Sequence, residues 1–242
     1  VSVSYATSGG SAASGTDYEA VASTSVSFAV GETWKDITLK ISGDVVDEND
    51  ETFNVVLSGP VGSGSTIGSG TGVVRIVDDD TVVINVVSGT ASESVTTANV
   101  ISASMTGTAD RIISVSYDVV GVTASAGSDF SAASGSLSWA IGSAGAVSAP
   151  LTIGQDNVNE LDETIHVILS SPSEGAVFGS PAGAVGTITV TDDDVVTFSA
   201  SATSFGEGTG TPALVRVTMV GTADRAVSVK YTTLATGTAA SP

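Results

Sequence analysis

The chain has 242 residues, with 26 acidic side chains against 7 basic ones, and its formal net charge of -19 makes anionic membrane surfaces poor partners and leaves no nucleic-acid partner expected. Gly, Ser, Thr, Ala and Val dominate and only 14% of residues are charged, so the Leu, Glu, Lys and Arg richness of helical proteins is missing and an all-β fold is expected. Without cysteine, the fold has no disulfides, no thiol chemistry and no cysteine-based zinc site.

The chain opens on Val1-Ser2-Val3-Ser4-Tyr5, whose alternation is that of a strand with one buried face. No leader-like segment and no apolar run of about 18 residues occurs, so any signal or anchor is expected outside this segment and no direct membrane insertion within it. Gly15-Thr16-Asp17-Tyr18 reads as a turn entering a core aromatic, Phe28 as core, and Trp34 as an isolated aromatic. An acidic stretch follows, with Asp44, Glu48, Asp50 and Glu51, and then a strand running into the turn Leu57-Ser58-Gly59-Pro60. Asp78-Asp79-Asp80 ends the first unit, and Thr81-Val82-Val83-Ile84 begins the next strand with no room for a linker. Gly107-Thr108-Ala109-Asp110-Arg111 is expected to be a turn between adjacent strands, with its Asp bonding backbone amides. Val115, Tyr117 and Val119 alternate with small or polar residues, as do Ile165, Val167 and Leu169, while His166 falls on the face opposite those core positions. Trp139 matches Phe28 and is expected in the core.

These elements repeat. Asp44, Glu48, Asp50 and Glu51 return 112 positions later as Asp156, Glu160, Asp162 and Glu163, and Asp78-Asp79-Asp80 returns 114 positions later as Asp192-Asp193-Asp194. Tyr5 returns as Tyr117 and Tyr231, and the pentapeptide at 107–111 recurs unchanged at Gly221 to Arg225. The expected organisation is one unit over 1–80 lacking its opening strand, a complete unit over 81–194, and opening strands only over 195–242. Seven or so short strands in each complete unit indicate an immunoglobulin-like antiparallel sandwich.

In the second copy Glu93, Asp129, Asp156, Glu160, Glu163, Asp192, Asp193 and Asp194 fall at strand ends and turns. The loops at one end of a Greek-key sandwich converge, so these carboxylates are placed to share a small volume in which they repel one another without a cation. Clustered oxygen ligands without His or Cys suit Ca2+, which takes six to eight oxygens in flexible geometry, better than zinc or copper. Asp17 and Asp129 are equally suited to capping their own turns, and Asp50 and Asp162 are expected to face solvent. The single His166 in mid-strand, without a Gly-x-Ser-x-Gly elbow, offers no Ser-His-Asp chemistry, so no enzyme is expected.

The turn motifs Gly15-Thr16-Asp17-Tyr18 and Gly127-Ser128-Asp129-Phe130, the pattern Asp44-x-x-x-Glu48-x-Asp50-Glu51-x-Phe53, and the closing Asp78-Asp79-Asp80 together resemble Calx-beta domains over essentially the whole chain. The second copy has Ile165 where the pattern has Phe. Such domains are immunoglobulin-like sandwiches of sodium/calcium exchangers, integrin beta4 and large extracellular adhesion proteins, and several bind calcium near the junction with the next domain. The resemblance implies Glu93, Asp129, Asp156, Glu160, Glu163 and Asp192 to Asp194 as ligands in copy two, and Asp17, Asp44, Glu48, Glu51, Asp78, Asp79 and Asp80 in copy one. Gly43 and Gln155 stand where the strongest binders have a further acid, implying fewer ions held more weakly, and copy three keeps only Glu207. The expected function is a calcium-binding structural segment of an extracellular or cell-surface adhesion or filament protein, its partners being neighbouring repeats. Two alternatives stand beside it: a calcium-independent carbohydrate- or receptor-binding surface module, in which Trp34 makes contacts, and the calcium-sensor domain of a transporter. Residues 195–242 of one molecule are also expected to complete copy one of the next, giving head-to-tail self-assembly.

Overall fold

The computed structural model of the protein describes residues 1–180, 184–206 and 212–233, and Glu207 lies outside them. All regular elements among the described residues are strands, as the composition requires. Copy one contains β1 (Ser2–Ser8), β2 (Thr24–Ser27), β3 (Val46–Asp47), β4 (Glu51–Val61) and β5 (Thr71–Ile76). Four of these form an antiparallel sheet in the order β2-β1-β4-β5. Period-two alternation puts Phe53 and Val55 of β4 on its inner face, where the Tyr18 ring stacks on Phe53 with centroids 4.0 Å apart and planes 6° from parallel. The Asp17 turn is thereby anchored over the first residue of β4, Glu51.

Copy two is a two-layer sandwich. Its strands are β6 (Val82–Val87), β7 (Gly89–Ser92), β8 (Thr97–Thr106), β9 (Thr108–Ala109), β10 (Ile113–Gly121), β11 (Ser134–Trp139), β12 (Gly145–Thr152), β13 (Val158–Asn159), β14 (Glu163–Ser170), β15 (Ala176–Phe178) and β16 (Val185–Thr191). One sheet has the order β11-β10-β14-β16-β7 and the other β12-β8-β6-β15. Ile113, Val115, Ile165 and Ile188 of the first face Ile84, Ile101 and Leu151 of the second, all at most 1% exposed, and each such side chain contributes roughly 1.5–3 kcal/mol by leaving water. Trp139 lies in the same core with its indole N–H donating to the Gly145 carbonyl at 2.8 Å, whereas its counterpart Phe28 is half-buried and Trp34 is exposed. His166 sits half-buried between buried Ile165 and Val167, on the outward side of the sheet, as its register predicts.

The opening segment of copy two serves both sheets. After β6 pairs with β8 and β15, the chain crosses at Ser88 and continues as β7 alongside β16 in the other sheet. Ser92 therefore lies beside Thr191, and the Glu93 N–H donates to the Thr191 carbonyl at 3.1 Å. Glu93 is thus set at the point where the Asp192–Asp194 triplet leaves β16.

Copy three contributes β17 (Thr197–Ala200), paired antiparallel with β18 (Val217–Val220), and then β19 (Thr222–Ala223). Successive copies are joined by the same short parallel pairing, β3 with β9 at the first junction and β13 with β19 at the second.

Candidate metal centres at the repeat junctions

In copy two the turn carrying Asp129 is fixed locally. Gly127 takes φ +102°, Asp129 Oδ2 accepts from the Ser125 N–H at 2.5 Å, and buried Phe130 pins the turn by a bridge to Ile153. Capping its turn does not remove Asp129 from the site. Asp129, Glu160 and Glu163 each offer an oxygen within 4.8 Å of the others'. A second group, Glu93, Asp192 and Asp194, meets the same spacing, and copy one reproduces the first group as Asp17, Glu48 and Glu51. At 4.8 Å two carboxylates in a medium of effective dielectric near 20 repel by about 3 kcal/mol.

Burial first, and this crowding second, shift the acids from their ordinary values. Burial, then the charges of Asp192, Glu160, Asp156 and Asp129, push Glu93 up to about 7. Burial and the hydrogen bond shared with Asp129 push Glu163 to about 7, and burial with the equivalent bond to Asp17 does the same for Glu51. Burial also works to raise Asp129 and Asp17, but the turn N–H groups and hydroxyls they accept from, with the proton shared by the glutamate, hold both below the usual carboxylate range. Burial and neighbouring acids raise Glu48, Glu160, Asp80 and Asp194. Because Glu93 feels Glu160 and Asp129 as well as Asp192, the two groups of copy two form one acidic pole.

The remaining acids take other places. Asp44 Oδ1 accepts from the Val46 N–H at 2.8 Å and Asp156 Oδ1 from the Val158 N–H at 2.7 Å, so these two carboxylates hold the start of β3 and β13. Asp44 also lines a pocket of about 120 Å³ with Asp17, Glu48, Glu51, Asp78, Asp79 and Asp80. Within each triplet the outer residues, Asp78 and Asp80 or Asp192 and Asp194, are half-buried, while Asp79 and Asp193 are exposed. Asp50 and Asp162 are exposed as expected, but each has a bracing role that the sequence reading missed. Asp50 Oδ1 accepts from the Asp78 N–H at 3.0 Å and Asp162 Oδ1 from the Asp192 N–H at 3.3 Å, which ties each triplet to the start of the neighbouring strand. Their return at the same 112-residue spacing as the other acids is the signal that could have found them.

The pentapeptide at 107–111 departs from expectation. Gly107, at φ +87°, does supply the turn, but among the described residues the Asp110 carboxylate accepts from Arg111 Nη1 at 3.2 Å and not from a backbone amide. The segment's main contacts cross to the preceding copy: Thr108–Ala109 pairs with Val46–Asp47, and Arg111 Nη2 meets Asp47 Oδ1 at 2.5 Å. At the second junction Arg225 does the same to Asn159. Verbatim recurrence was the sequence signal for this repeated docking element.

The donor set fits a hard divalent cation. Every side chain in the three groups is a carboxylate, and Glu93 Oε2, Glu163 Oε2 and Asp192 Oδ1 are buried without a hydrogen-bond partner, a costly state for anionic oxygen unless a cation is bound.

A family model described as the Calx-beta domain matches residues 1–80, 77–194 and 190–242. Among solved structures, the apo-form Calx CBD1 domain is 28% identical, covers 48% of this chain and 100% of its own, and has a TM-score of 0.43. CBD12 from CALX1.2 is also 28% identical, over 52% of this chain and 53% of its own, with a TM-score of 0.42. The Calx CBD2 domain is 14% identical over 46% and 86% respectively, with a TM-score of 0.40. The search of curated proteins returned no match.

Proposed function

The chain belongs to the Calx-beta domain family, and on that premise we propose that it is a structural repeat segment in which Ca2+ at the acidic poles fixes each repeat to the next. The observation that carries this reading is the double use of one short segment. Val158–Asn159 pairs with Thr222–Ala223 of the following copy, and the next residue, Glu160, belongs to the acidic group with Asp129 and Glu163. An ion at that group removes the repulsion that loosens the segment, and the segment in turn holds the next repeat. With no acid at Gly43 and Gln155, binding falls in the weak range of extracellular modules, at roughly 0.1–1 mM. That affinity suits a cell-surface or extracellular adhesion or filament array, where calcium is plentiful and stiffens successive junctions.

Calcium titration of the whole chain by calorimetry, beside Glu160→Ala and with melting in chelator, tests the reading. Saturable binding that weakens in the variant, together with a higher melting temperature in calcium, is the expected result. No heat and no melting shift up to several millimolar calcium would overturn it.

A further inference from the structure

Asp47 and Asn159 occupy the same position in copies one and two, and each is gripped by the arginine of the following repeat. At the second junction Arg225 Nη2 donates to Asn159 Oδ1 at 2.8 Å and Nη1 to the Asn159 carbonyl at 3.0 Å. The other side-chain atom of Asn159 completes a relay. Its Nδ2 donates to Asp192 Oδ2 at 3.1 Å and to the Asp194 carbonyl at 2.7 Å, so the next repeat's arginine is linked through one amide to the closing triplet.

At the first junction the arginine half of this arrangement is preserved. Arg111 Nη2 donates to Asp47 Oδ1 at 2.5 Å and Nη1 to the Asp47 carbonyl at 2.9 Å, and Arg111 also reaches the Glu174 carbonyl at 3.1 Å. The triplet half is changed, because a carboxylate has no N–H to give. Asp47 is 1% exposed, and its Oδ2, the atom corresponding to the Asn159 amide nitrogen, has no hydrogen-bond partner. The counterparts of Asp192 and Asp194 are Asp78 and Asp80, which line a single cleft with Asp47, Glu48, Asp50 and Arg111. Where junction two has an amide donor, junction one has a buried anionic oxygen without a hydrogen-bond partner, in a cleft lined by further carboxylates. A buried oxygen in that state is costly, and a divalent cation between it and the triplet removes the cost.

We infer that Asp47 is a further calcium ligand at the first junction, binding the ion through Oδ2 while it holds Arg111 of the next repeat through Oδ1. This rests on the calcium reading above and adds a difference between the junctions: the first is closed by a cation, the second by the Asn159 amide. Arg111 does not exclude the ion, because the carboxylates of Asp47, Glu48, Asp78 and Asp80 outweigh its single charge in the cleft. Calcium bound at copy one therefore bears directly on the docking of copy two through a single carboxylate.

The test is calorimetric titration of the whole chain with calcium chloride, with melting in calcium and in chelator, for the parent, Asp47→Asn and Asn159→Asp. Asp47→Asn installs the amide of the second junction. It is expected to weaken one class of calcium site by about tenfold, leave the others unchanged, and melt no lower than the parent in chelator. Asn159→Asp is expected to do the reverse, melting lower in chelator and recovering in calcium, and it serves as the test if the first variant fails to fold. An isotherm unchanged by Asp47→Asn while Glu160→Ala still weakens binding would leave the calcium reading standing and overturn the role of Asp47. Equal loss of melting temperature with and without calcium would also overturn it, by reducing Asp47 to an ion-pair partner of Arg111. No calcium binding by the parent would overturn both.

Discussion

Replacing Glu163 with Gln separates repulsion from ligation at the copy two pole. The Glu163 carboxyl stands at about 7 in the folded protein against 4.5 for a free glutamate, raised by burial and by Asp129. A raised carboxyl means that the folded state favours the protonated form. Its contribution is fully present below pH 4.5 and is lost as pH rises through 7. At about 1.4 kcal/mol per tenfold change in proton affinity the loss has a ceiling of about 3 kcal/mol, and solvent on the open side of this half-buried group reduces it to roughly 1–2 kcal/mol. Glutamine keeps the volume and can still donate to Asp129. Glu163→Gln is therefore expected to stabilise the calcium-free protein by about 1–2 kcal/mol at pH 8, a rise in melting temperature of roughly 2–8 °C, and to leave it unchanged at pH 4. In saturating calcium the order inverts, because the variant lacks a ligand. Melting followed by circular dichroism in chelator and in calcium, at both pH values, reads the crossing. A variant that melts below the parent in chelator at pH 8 would refute the claim that repulsion, relieved by an ion, governs this pole.

Because Glu51, Glu93 and Glu163 all stand at about 7, calcium must displace protons from them below that pH. Affinity is expected to fall by about tenfold per participating glutamate between pH 8 and pH 6, with a binding heat that depends on the buffer's ionisation enthalpy, both measurable by calorimetry. Gly175 takes φ +84°, and a Cβ there would stand 2.6 Å from both Asp47 carboxylate oxygens and against the Arg111 guanidinium. Gly175→Ala is expected to disrupt the Arg111–Asp47 pair at a cost on the order of 2–4 kcal/mol, broadening spin-label distances between copies one and two; an unchanged distribution would count against that pair as the fastening of the junction.

The sequence by itself determined the local structure and the repetition. Alternation at Ile165, Val167 and Leu169 fixed which face of β14 is buried, because side chains two apart in a strand share a side whatever lies opposite. The Gly-x-Asp-aromatic turns at 15–18 and 127–130 set their own geometry through hydrogen bonds four residues apart. The acids of the pole were likewise legible as strand-end residues that recur at fixed spacing. The division of labour among those acids was decided only by the tertiary structure. Asp156 turns to the Val158 N–H, and Glu93 reaches Asp192 because the strand β6–β7 changes sheets, a crossing that no local pattern encodes. The docking of Arg111 on Asp47 and of Arg225 on Asn159 joins residues 64 and 66 positions apart in different copies. Such contacts depend on how one folded unit is set against the next, and a single Asp-to-Asn difference acquires its meaning only once the arginine and the triplet stand on either side of it.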